Sequence, residues 1–233
     1  MIDIHCHILP GIDDGATCIA ESLEMARIAC NDGIKAIVAT PHVFENSPSA
    51  EQIKSEVKKL CKEFKDNNIN LKIAPGAEIA YPTVLSSLYS YGINGTRNIL
   101  IEFPHQYLPI NSGLYIEEII SKGYYPIIAH PERNTAILKN PDKLFKLIEK
   151  GATVQITSSS LAGDFGKDIQ ALSVYLLKKN AVHFIASDSH GIKGRKPIIS
   201  NALKFARKFL NEKDILRLVY DNPLKVLEGK RVS

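Results

Sequence analysis

Short apolar runs alternate with amphipathic stretches along the chain. Residues 34–39 are too uniformly apolar for a half-exposed strand, which favours a strand of a parallel sheet that is covered on both faces. The intervening stretches have helical periodicity. One predicted helix, which ends at residues 31–33, buries four positions at steps of four, three and four: Ile19, Leu23, Ala26 and Cys30. The next predicted helix buries Ile53, Val57, Leu60 and Phe64.

Seven runs of strand character alternate with predicted helices over the whole chain, at residues 2–5, 34–39, 71–74, 99–101, 125–129, 153–157 and 182–186. This order predicts an α/β protein with a βα barrel or a closely related parallel fold. A chain of 233 residues with 45% hydrophobic content is long enough to bury one large core. Because no linker or low-complexity segment divides it, we expect a single domain over residues 1–233.

Ionisable side chains recur just past the ends of these predicted strands. In a parallel barrel, the carboxyl ends of all strands meet on one face, and functional groups from several strands gather there. If the positions of ionisable residues were random, such residues would precede strands as often as they follow them. We therefore expect one cluster made of His5, His7, Asp14, His42, Glu78, Glu102, His130, Asp188 and His190.

This set of donors predicts a metal centre. It contains nitrogen and oxygen donors without sulfur, and it exceeds what one tetrahedral zinc needs, so it suits two or three ions such as Mn²⁺, Fe²⁺ or Zn²⁺. Adjacent ions about 3.5–4 Å apart can clamp a phosphoryl group and lower the pKa of a bound water. The chain has neither a Gly-x-Ser-x-Gly elbow nor a Cys-x₅-Arg loop. Water is therefore the predicted nucleophile.

Two arginines, two histidines and one cysteine near the predicted donors are further candidates for a role in this chemistry. Arg133 and Arg195 follow predicted donors closely, and a guanidinium can hold two phosphate oxygens at once, although surface salt bridges are the alternative. His105 and His183 lack such a context, so we interpret both as structural. Cys6 should point away from its histidine neighbours and pack rather than react.

Charge and cysteine content exclude some classes of partner. The net charge of +4 is spread along the chain, so solvated helix faces explain the lysines better than a nucleic-acid groove does. The four cysteines form no Cys-x-x-Cys pair, and neither a secretory segment nor a long apolar run is apparent. We therefore expect a reducing cytoplasm and no membrane insertion, while the oligomeric state stays open.

The combined motifs resemble the polymerase-and-histidinol-phosphatase (PHP) superfamily over nearly the whole chain. Within it they are most similar to the manganese-dependent protein-tyrosine phosphatases encoded beside bacterial capsule and exopolysaccharide genes. The resemblance implies a distorted (β/α)₇ TIM-like barrel and three metal ions. It rests on His5-x-His7, Gly11-Ile-Asp-Asp-Gly15, Ala39-Thr-Pro-His42, Gly76-Ala-Glu78, Ile101-Glu102-Phe-Pro104, Ala129-His130-Pro-Glu-Arg133 and Ser187-Asp188-Ser-His190.

The resemblance also implies roles for individual residues. One ion would be held by His5, His7, Glu78 and Asp188. Glu78 would bridge to a second ion that is also held by Glu102 and His130. The third ion would be held by Asp14, His42 and His190, with Asp13 as the alternative to Asp14. Arg133 and Arg195 match phosphate-contacting arginines, and the implied partner is the phosphorylated tyrosine-rich tail of a membrane-associated tyrosine kinase of polysaccharide export.

Three other functions are compatible with parts of this pattern. Another PHP phosphoesterase could act on histidinol phosphate or a nucleotide, because the metal cluster does not choose the leaving group. An amidohydrolase also begins with His-x-His, but it commonly uses a carboxylated lysine where this chain has glutamates. A non-catalytic regulatory or scaffold protein with this fold should have lost some donors, whereas every expected position is filled here.

Overall fold

The computed structural model of the chain describes residues 1–45, 47–83 and 88–232. The described residues form two parallel sheets with the strand orders β1-β2-β4 and β3-β5-β6-β7-β8-β9. The strands are β1 (Ile2–Cys6), β2 (Ala36–Ala39), β3 (His42–Val43), β4 (Lys72–Pro75), β5 (Glu78–Ala80), β6 (Asn98–Glu102), β7 (Tyr125–Ala129), β8 (Thr153–Thr157) and β9 (Phe184–Ala186).

Strands β2 and β3 continue one another across a two-residue interruption, and so do β4 and β5. Backbone hydrogen bonds from Gly76 N to Ala39 O (2.9 Å) and from Glu78 N to Pro41 O (3.0 Å) bridge these interruptions. The strands thus correspond to the seven predicted runs. After β9, Asp188 N donates to His5 O at 2.9 Å, which brings the last strand beside the first. The predicted α/β fold of distorted (β/α)₇ TIM-like type is confirmed.

Helices connect successive strands, as parallel pairing requires. No helix in the described ranges is long and apolar enough to cross a membrane. The helices are α1 (Ile19–Asn31), α2 (Ala50–Asp66), α3 (Ser112–Ser121), α4 (Thr135–Lys139), α5 (Asp142–Glu149), α6 (Ser158–Ala162), α7 (Lys167–Lys178), α8 (Ser200–Ala206), α9 (Glu212–Leu216) and α10 (Asn222–Leu227). Single 3₁₀ turns include Pro131–Arg133, directly after β7.

The first two helices show how far periodicity determines the buried face. Helix α2 buries its predicted stripe and begins at Ser49, whose Oγ accepts a hydrogen bond from Gln52 N at 3.1 Å. The stripe predicted for α1 is confirmed in part: Ala26 is buried and the half-buried Leu23 and Cys30 pack against the core, whereas Ile19 is exposed. The residues that α1 buries are Ser22, Met25, Ala26 and Ala29. Their spacings of three, one and three are also helical, and this face overlaps the predicted one at Ala26, so the pattern alone did not fix the centre of the buried face.

The sheets are covered on both faces, as the apolar strands predicted. Ile99 and Ile101 of β6 belong to a large apolar cluster that includes the buried faces of the helices. Leu100, between them, belongs to a smaller cluster with Ile4 of β1 and Phe184 of β9. This alternation follows from the two-residue period of a strand. At the carboxyl ends of the strands, polar side chains replace the apolar ones.

Candidate metal centre

The structure brings together all nine predicted donor residues at the carboxyl ends of the strands. Six of them lie on a strand or directly after one, whereas Asp14, Asp188 and His190 come from loops that follow β1 and β9. Their donor atoms form overlapping groups in which members lie within 4.8 Å of one another. The sequence prediction of one cluster therefore holds in three dimensions. The cluster consists of His5, His7, Asp14, His42, Glu78, Glu102, His130, Asp188 and His190.

The innermost part of the cluster combines two imidazoles with two carboxylates. His5 Nε2 lies 3.1 Å from His7 Nε2, 3.2 Å from Glu78 Oε2 and 3.4 Å from Asp188 Oδ1. His7 Nε2 lies 3.3 Å and 3.5 Å from the same two carboxylate oxygens. All four residues are buried. Four donor atoms thus converge on one point.

Two further groups flank this centre. On one side, His130 Nε2 lies 2.7 Å from Glu78 Oε1 and 3.7 Å from Glu102 Oε1. The two oxygens of Glu78 therefore face different groups, which is the arrangement that a bridging carboxylate needs. On the other side, Asp14 Oδ1 lies 3.5 Å from His42 Nε2 and 3.3 Å from His190 Nε2.

Hydrogen bonds from outside the cluster orient two of its imidazoles. His5 Nδ1 donates to Gln155 Oε1 at 2.9 Å, and His7 Nδ1 donates to Asp13 Oδ2 at 2.7 Å. Each bond fixes the tautomer and leaves the Nε2 lone pair directed at the centre, as is usual for metal-binding histidines. Sequence reasoning missed Gln155, because it lies within β8 and carries no charge.

The adjacent carboxylates Asp13 and Asp14 have different surroundings. Asp13 also accepts hydrogen bonds from the backbone nitrogens of Gly15 and His42, both at 3.0 Å. Burial opposes ionisation of Asp13, but the hydrogen bond and charge of His7 together with the backbone N–H groups of His42 and Gly15 outweigh burial and lower the pKa of Asp13 to about 2. The oxygens of Asp13 are thus occupied, whereas Asp14 is directed at His42 and His190. This difference favours Asp14 over Asp13 as the donor.

Two of the donors have a left-handed backbone conformation. Asp188 and His130 have φ angles of 51° and 29°, in the left-handed region that non-glycine residues rarely adopt. Such conformations cost about 1–3 kcal/mol each and concentrate at functional sites. At Asp188, the turn lets the backbone carbonyl accept a hydrogen bond from His190 Nδ1 at 3.0 Å. The same turn therefore helps to orient a second donor.

The charge balance of the cluster favours a bound cation. Burial opposes ionisation of Glu78, but His5 and His130 hold its pKa well below the usual range. Burial and the neighbouring Glu78 carboxylate raise the pKa of Glu102 to about 8. Burial, assisted by Arg133, lowers the pKa of His130 to about 4. A divalent cation would relieve the repulsion between the glutamates and use the lone pair of the neutral imidazole.

Unsatisfied polar atoms supply an independent test of whether metal ions fit. Among the described residues, four buried atoms of the cluster make no hydrogen bond: His42 Nδ1, Glu78 Oε2, Asp188 Oδ1 and His190 Nε2. Leaving such an atom without a partner costs about 1–3 kcal/mol. Imidazole and carboxylate donors suit Mn²⁺, Fe²⁺ or Zn²⁺. The residues present therefore fit a centre of several such ions.

Two guanidinium groups lie at the edge of the cluster. Arg133 and Arg195 both donate to Asp188 Oδ2, Arg195 at 2.9 Å. Arg133 also lies over the Phe165 ring, with 5.1 Å between its Cζ atom and the ring centroid. Because Asp188 is buried, these contacts are not surface salt bridges. The arginines are positioned to hold an anion beside the metal donors.

The structure also locates the residues interpreted as structural. His105 lies at the rim of the cluster, with Nε2 3.4 Å from Glu102 Oε1 and its ring stacked on His130 at 5.3 Å, which the sequence interpretation did not anticipate. His183 lies elsewhere, where its Nδ1 accepts a hydrogen bond from Val154 N at 3.1 Å. Burial raises the pKa of the Cys6 thiol, so its expected packing role is confirmed.

Close backbone packing behind His7 leads to a testable prediction. A Cβ atom at Gly15 would lie 2.1 Å from His7 O and 2.5 Å from His7 Cβ. Gly15→Ala should displace His7, lower metal content and destabilise the protein by about 1–3 kcal/mol. Elemental analysis and thermal unfolding measure these effects. Gly194→Ala is the control, because no atom lies within 4 Å of its added Cβ; equal behaviour of the two variants would contradict the prediction.

Parallel strands that carry several metal-donor side chains at their carboxyl ends define a class, the metal-dependent hydrolases with TIM-like barrels. The chain belongs to the CpsB/CapC family of capsular polysaccharide synthesis, whose model matches residues 1–228.

Individual relatives extend over most of this chain. Tyrosine-protein phosphatase YwqE of Bacillus subtilis (strain 168) is 45% identical over 216 residues, which cover 89% of this chain and 84% of YwqE. The putative tyrosine-protein phosphatase CapC of Staphylococcus aureus is 39% identical over 239 residues, which cover 100% of this chain and 93% of CapC. The resemblance to phosphatases of capsule loci is thereby confirmed.

A solved structure agrees with this family and with the fold. It belongs to a set of crystal structures of YwqE from Bacillus subtilis and CpsB from Streptococcus pneumoniae. These two proteins are unique metal-dependent tyrosine phosphatases. Its chain superimposes with a TM-score of 0.92 at 40% identity, and the match covers 100% of this chain and 96% of that one.

Proposed function

We propose that this chain hydrolyses the phosphate ester of phosphotyrosine in proteins. By its family it is a metal-dependent tyrosine-protein phosphatase. The observation that carries the proposal is the position of Asp188, whose Oδ1 faces the metal donors while Oδ2 accepts from two arginines. Groups that can bind metal and groups that can bind phosphate thus meet at one carboxylate.

We assign the donors to three ions by their grouping. His5, His7, Glu78 and Asp188 hold the first ion, and the distances of 3.1–3.5 Å between their atoms support this assignment. Glu78, Glu102 and His130 hold the second ion. Asp14, His42 and His190 hold the third. Among the ions that suit imidazole and carboxylate donors, we propose Mn²⁺, with Fe²⁺ or Zn²⁺ as alternatives.

The protein's own residues complete the chemistry. Bound ions supply a water of lowered pKa and neutralise charge on the phosphoryl oxygens. Arg133 and Arg195 orient the phosphoryl group through paired N–H donors. Gln155 and Asp13 hold the imidazoles of His5 and His7 in place through both binding and turnover.

The cellular substrate is a further part of the proposal. We propose the phosphorylated tyrosine-rich tail of a membrane-associated tyrosine kinase that controls polysaccharide export, and the family's association with capsular polysaccharide synthesis supports this choice. We propose that residues 1–233 act as one domain in the cytoplasm. All four cysteines are free thiols, which fits a reducing compartment.

Substrate comparison tests the proposed activity. The purified protein should hydrolyse a phosphotyrosine peptide with a much higher kcat/KM than histidinol phosphate or the matched phosphoserine peptide. Faster turnover of histidinol phosphate would instead indicate a different phosphoesterase with the same metal cluster. Lack of turnover of all three substrates, with a full complement of metal, would indicate a non-catalytic protein.

Substitution of the two arginines separates substrate handling from metal binding. Arg133→Ala and Arg195→Ala should keep their metal ions but lose about 1.5–3 kcal/mol of transition-state stabilisation, about ten- to more than a hundredfold in kcat/KM. Arg→Lys should recover only part of this loss, because an ammonium lacks the planar fork. Kinetics on a phosphotyrosine peptide and elemental analysis check both points. Unchanged kcat/KM with intact metal would remove the arginines from the mechanism.

A further inference from the structure

Exposed apolar side chains recur in the segment after β6, the strand that ends at Glu102. Among the described residues, eight large hydrophobic side chains are exposed, and three of them lie within residues 107–114. Tyr107 and Leu114 are more than half exposed, and Ile110 is fully exposed. Single exposed apolar residues are ordinary, but a contiguous group commonly marks an interaction site. This segment connects β6 to α3 on the face that carries the metal donors.

A groove runs between this segment and α5. Its volume is about 320 Å³, and Leu108, Pro109 and Ile110 of the segment line its apolar side. Its opposite side is basic. Lys143, Lys146 and Lys150 line the groove at spacings of three and four residues, which places them on one face of the helix and its C-terminal end.

The positive charge of this groove is only partly neutralised. Lys150 forms an ion pair with Glu117 of α3. Lys143 and Lys146 are exposed and form no ion pair with any residue that the structure describes. An apolar wall opposite two free ammonium groups is complementary to a segment that carries both apolar and acidic side chains.

Hydrogen bonds attach the segment that borders the groove to residues beside the metal centre. Asn134, directly after Arg133, donates from Nδ2 to Pro104 O at 2.6 Å and to Tyr107 O at 2.9 Å. Thr135 N donates to His105 O at 2.8 Å. The start of the segment is therefore fixed to the element that carries Arg133. Ile110 lies five positions after His105, so the chain between their Cα atoms spans about 18 Å at most when fully extended.

Resting on the proposed function, we infer that this surface binds the substrate protein next to its phosphotyrosine. We define the basic-apolar surface as Leu108, Ile110, Lys143 and Lys146, which line the groove. Its occupant is an extended acidic segment with apolar side chains, within about five residues of the phosphotyrosine, because an extended chain advances about 3.3–3.6 Å per residue. The metal centre recognises the phosphate, and the basic-apolar surface selects which phosphotyrosine proteins are turned over quickly.

Charge reversal tests this inference. The double variant Lys143→Glu/Lys146→Glu should hydrolyse an acidic-flanked phosphotyrosine peptide with a kcat/KM about tenfold lower or more, mainly through KM. It should gain activity on the same peptide with lysine flanks. Turnover of p-nitrophenyl phosphate, which cannot reach the groove, should change less than about twofold. Lys62→Glu/Lys65→Glu on α2 has the same spacing of exposed lysines and is the control, with no expected preference between peptides.

A second variant tests the apolar part and the alternative occupant. Ile110→Ser should raise KM for the acidic peptide without changing turnover of p-nitrophenyl phosphate, and sedimentation should show the same mass as the wild type. A dimer that Ile110→Ser converts to a monomer would overturn the inference, because the surface would then bind a second copy. Equal effects of charge reversal on all three substrates would overturn it as well. If the wild type hydrolyses p-nitrophenyl phosphate but no phosphotyrosine peptide, the proposed function fails instead.

Discussion

Complete removal of metal should abolish phosphatase activity, and Mn²⁺ should restore it. Bound ions have to supply the activated water, because no cysteine has a phosphatase-loop context and burial raises the pKa of the Cys6 thiol nearest the site. Without metal, the buried atoms Glu78 Oε2 and Asp188 Oδ1 have no hydrogen-bond partner. Activity should therefore fall to background after chelation, as measured with a phosphotyrosine peptide and elemental analysis of the same sample.

Alkylation of the thiols is the matched control for chelation. Cys18 is exposed and should react, whereas Cys6 is buried and should be protected in the folded protein. Activity should survive this treatment nearly unchanged. Turnover that persists after elemental analysis shows complete metal loss would contradict the proposed chemistry. Loss of activity that follows alkylation of Cys18 would point to a thiol instead.

Glu78→Gln should lower metal content and activity together. Each oxygen of Glu78 faces a different donor group, Oε2 near His5 at 3.2 Å and Oε1 near His130 at 2.7 Å. Glutamine keeps the size but removes the charge, so both neighbouring ions should be bound more weakly. We expect a loss of one or more ions per chain and a decrease in kcat/KM of at least about a hundredfold.

Glu132→Gln is the control for this substitution. Glu132 is also a fully buried glutamate, but its Oε1 accepts a hydrogen bond from Thr157 N at 2.9 Å, and it belongs to none of the donor groups. Its variant should keep a normal metal content. If Glu78→Gln also binds the wild-type number of ions with normal kinetics, Glu78 is not a bridging ligand.

The sequence predicted the metal donors better than it predicted the residues that support them. His42 and Glu78 were identifiable because each lies three residues past the end of an apolar strand, and parallel topology brings such positions together. Gln155 and Asp13 were missed as supports of His5 and His7. A neutral amide inside a strand, or one carboxylate beside another, has no pattern of its own in the sequence.

Local pattern therefore determined the order of strands and helices, the parallel α/β class, the buried stripe of α2 and which nine ionisable side chains lie together. These features depend on the period of apolar residues and on chain order, both of which are written in the sequence. Only the tertiary structure decided which face of α1 is buried, that His105 lies beside Glu102, and that Asp14 rather than Asp13 is directed at His190. Each of these outcomes depends on contacts between residues distant in sequence, because packing and hydrogen bonding choose among alternatives that local propensity leaves equal.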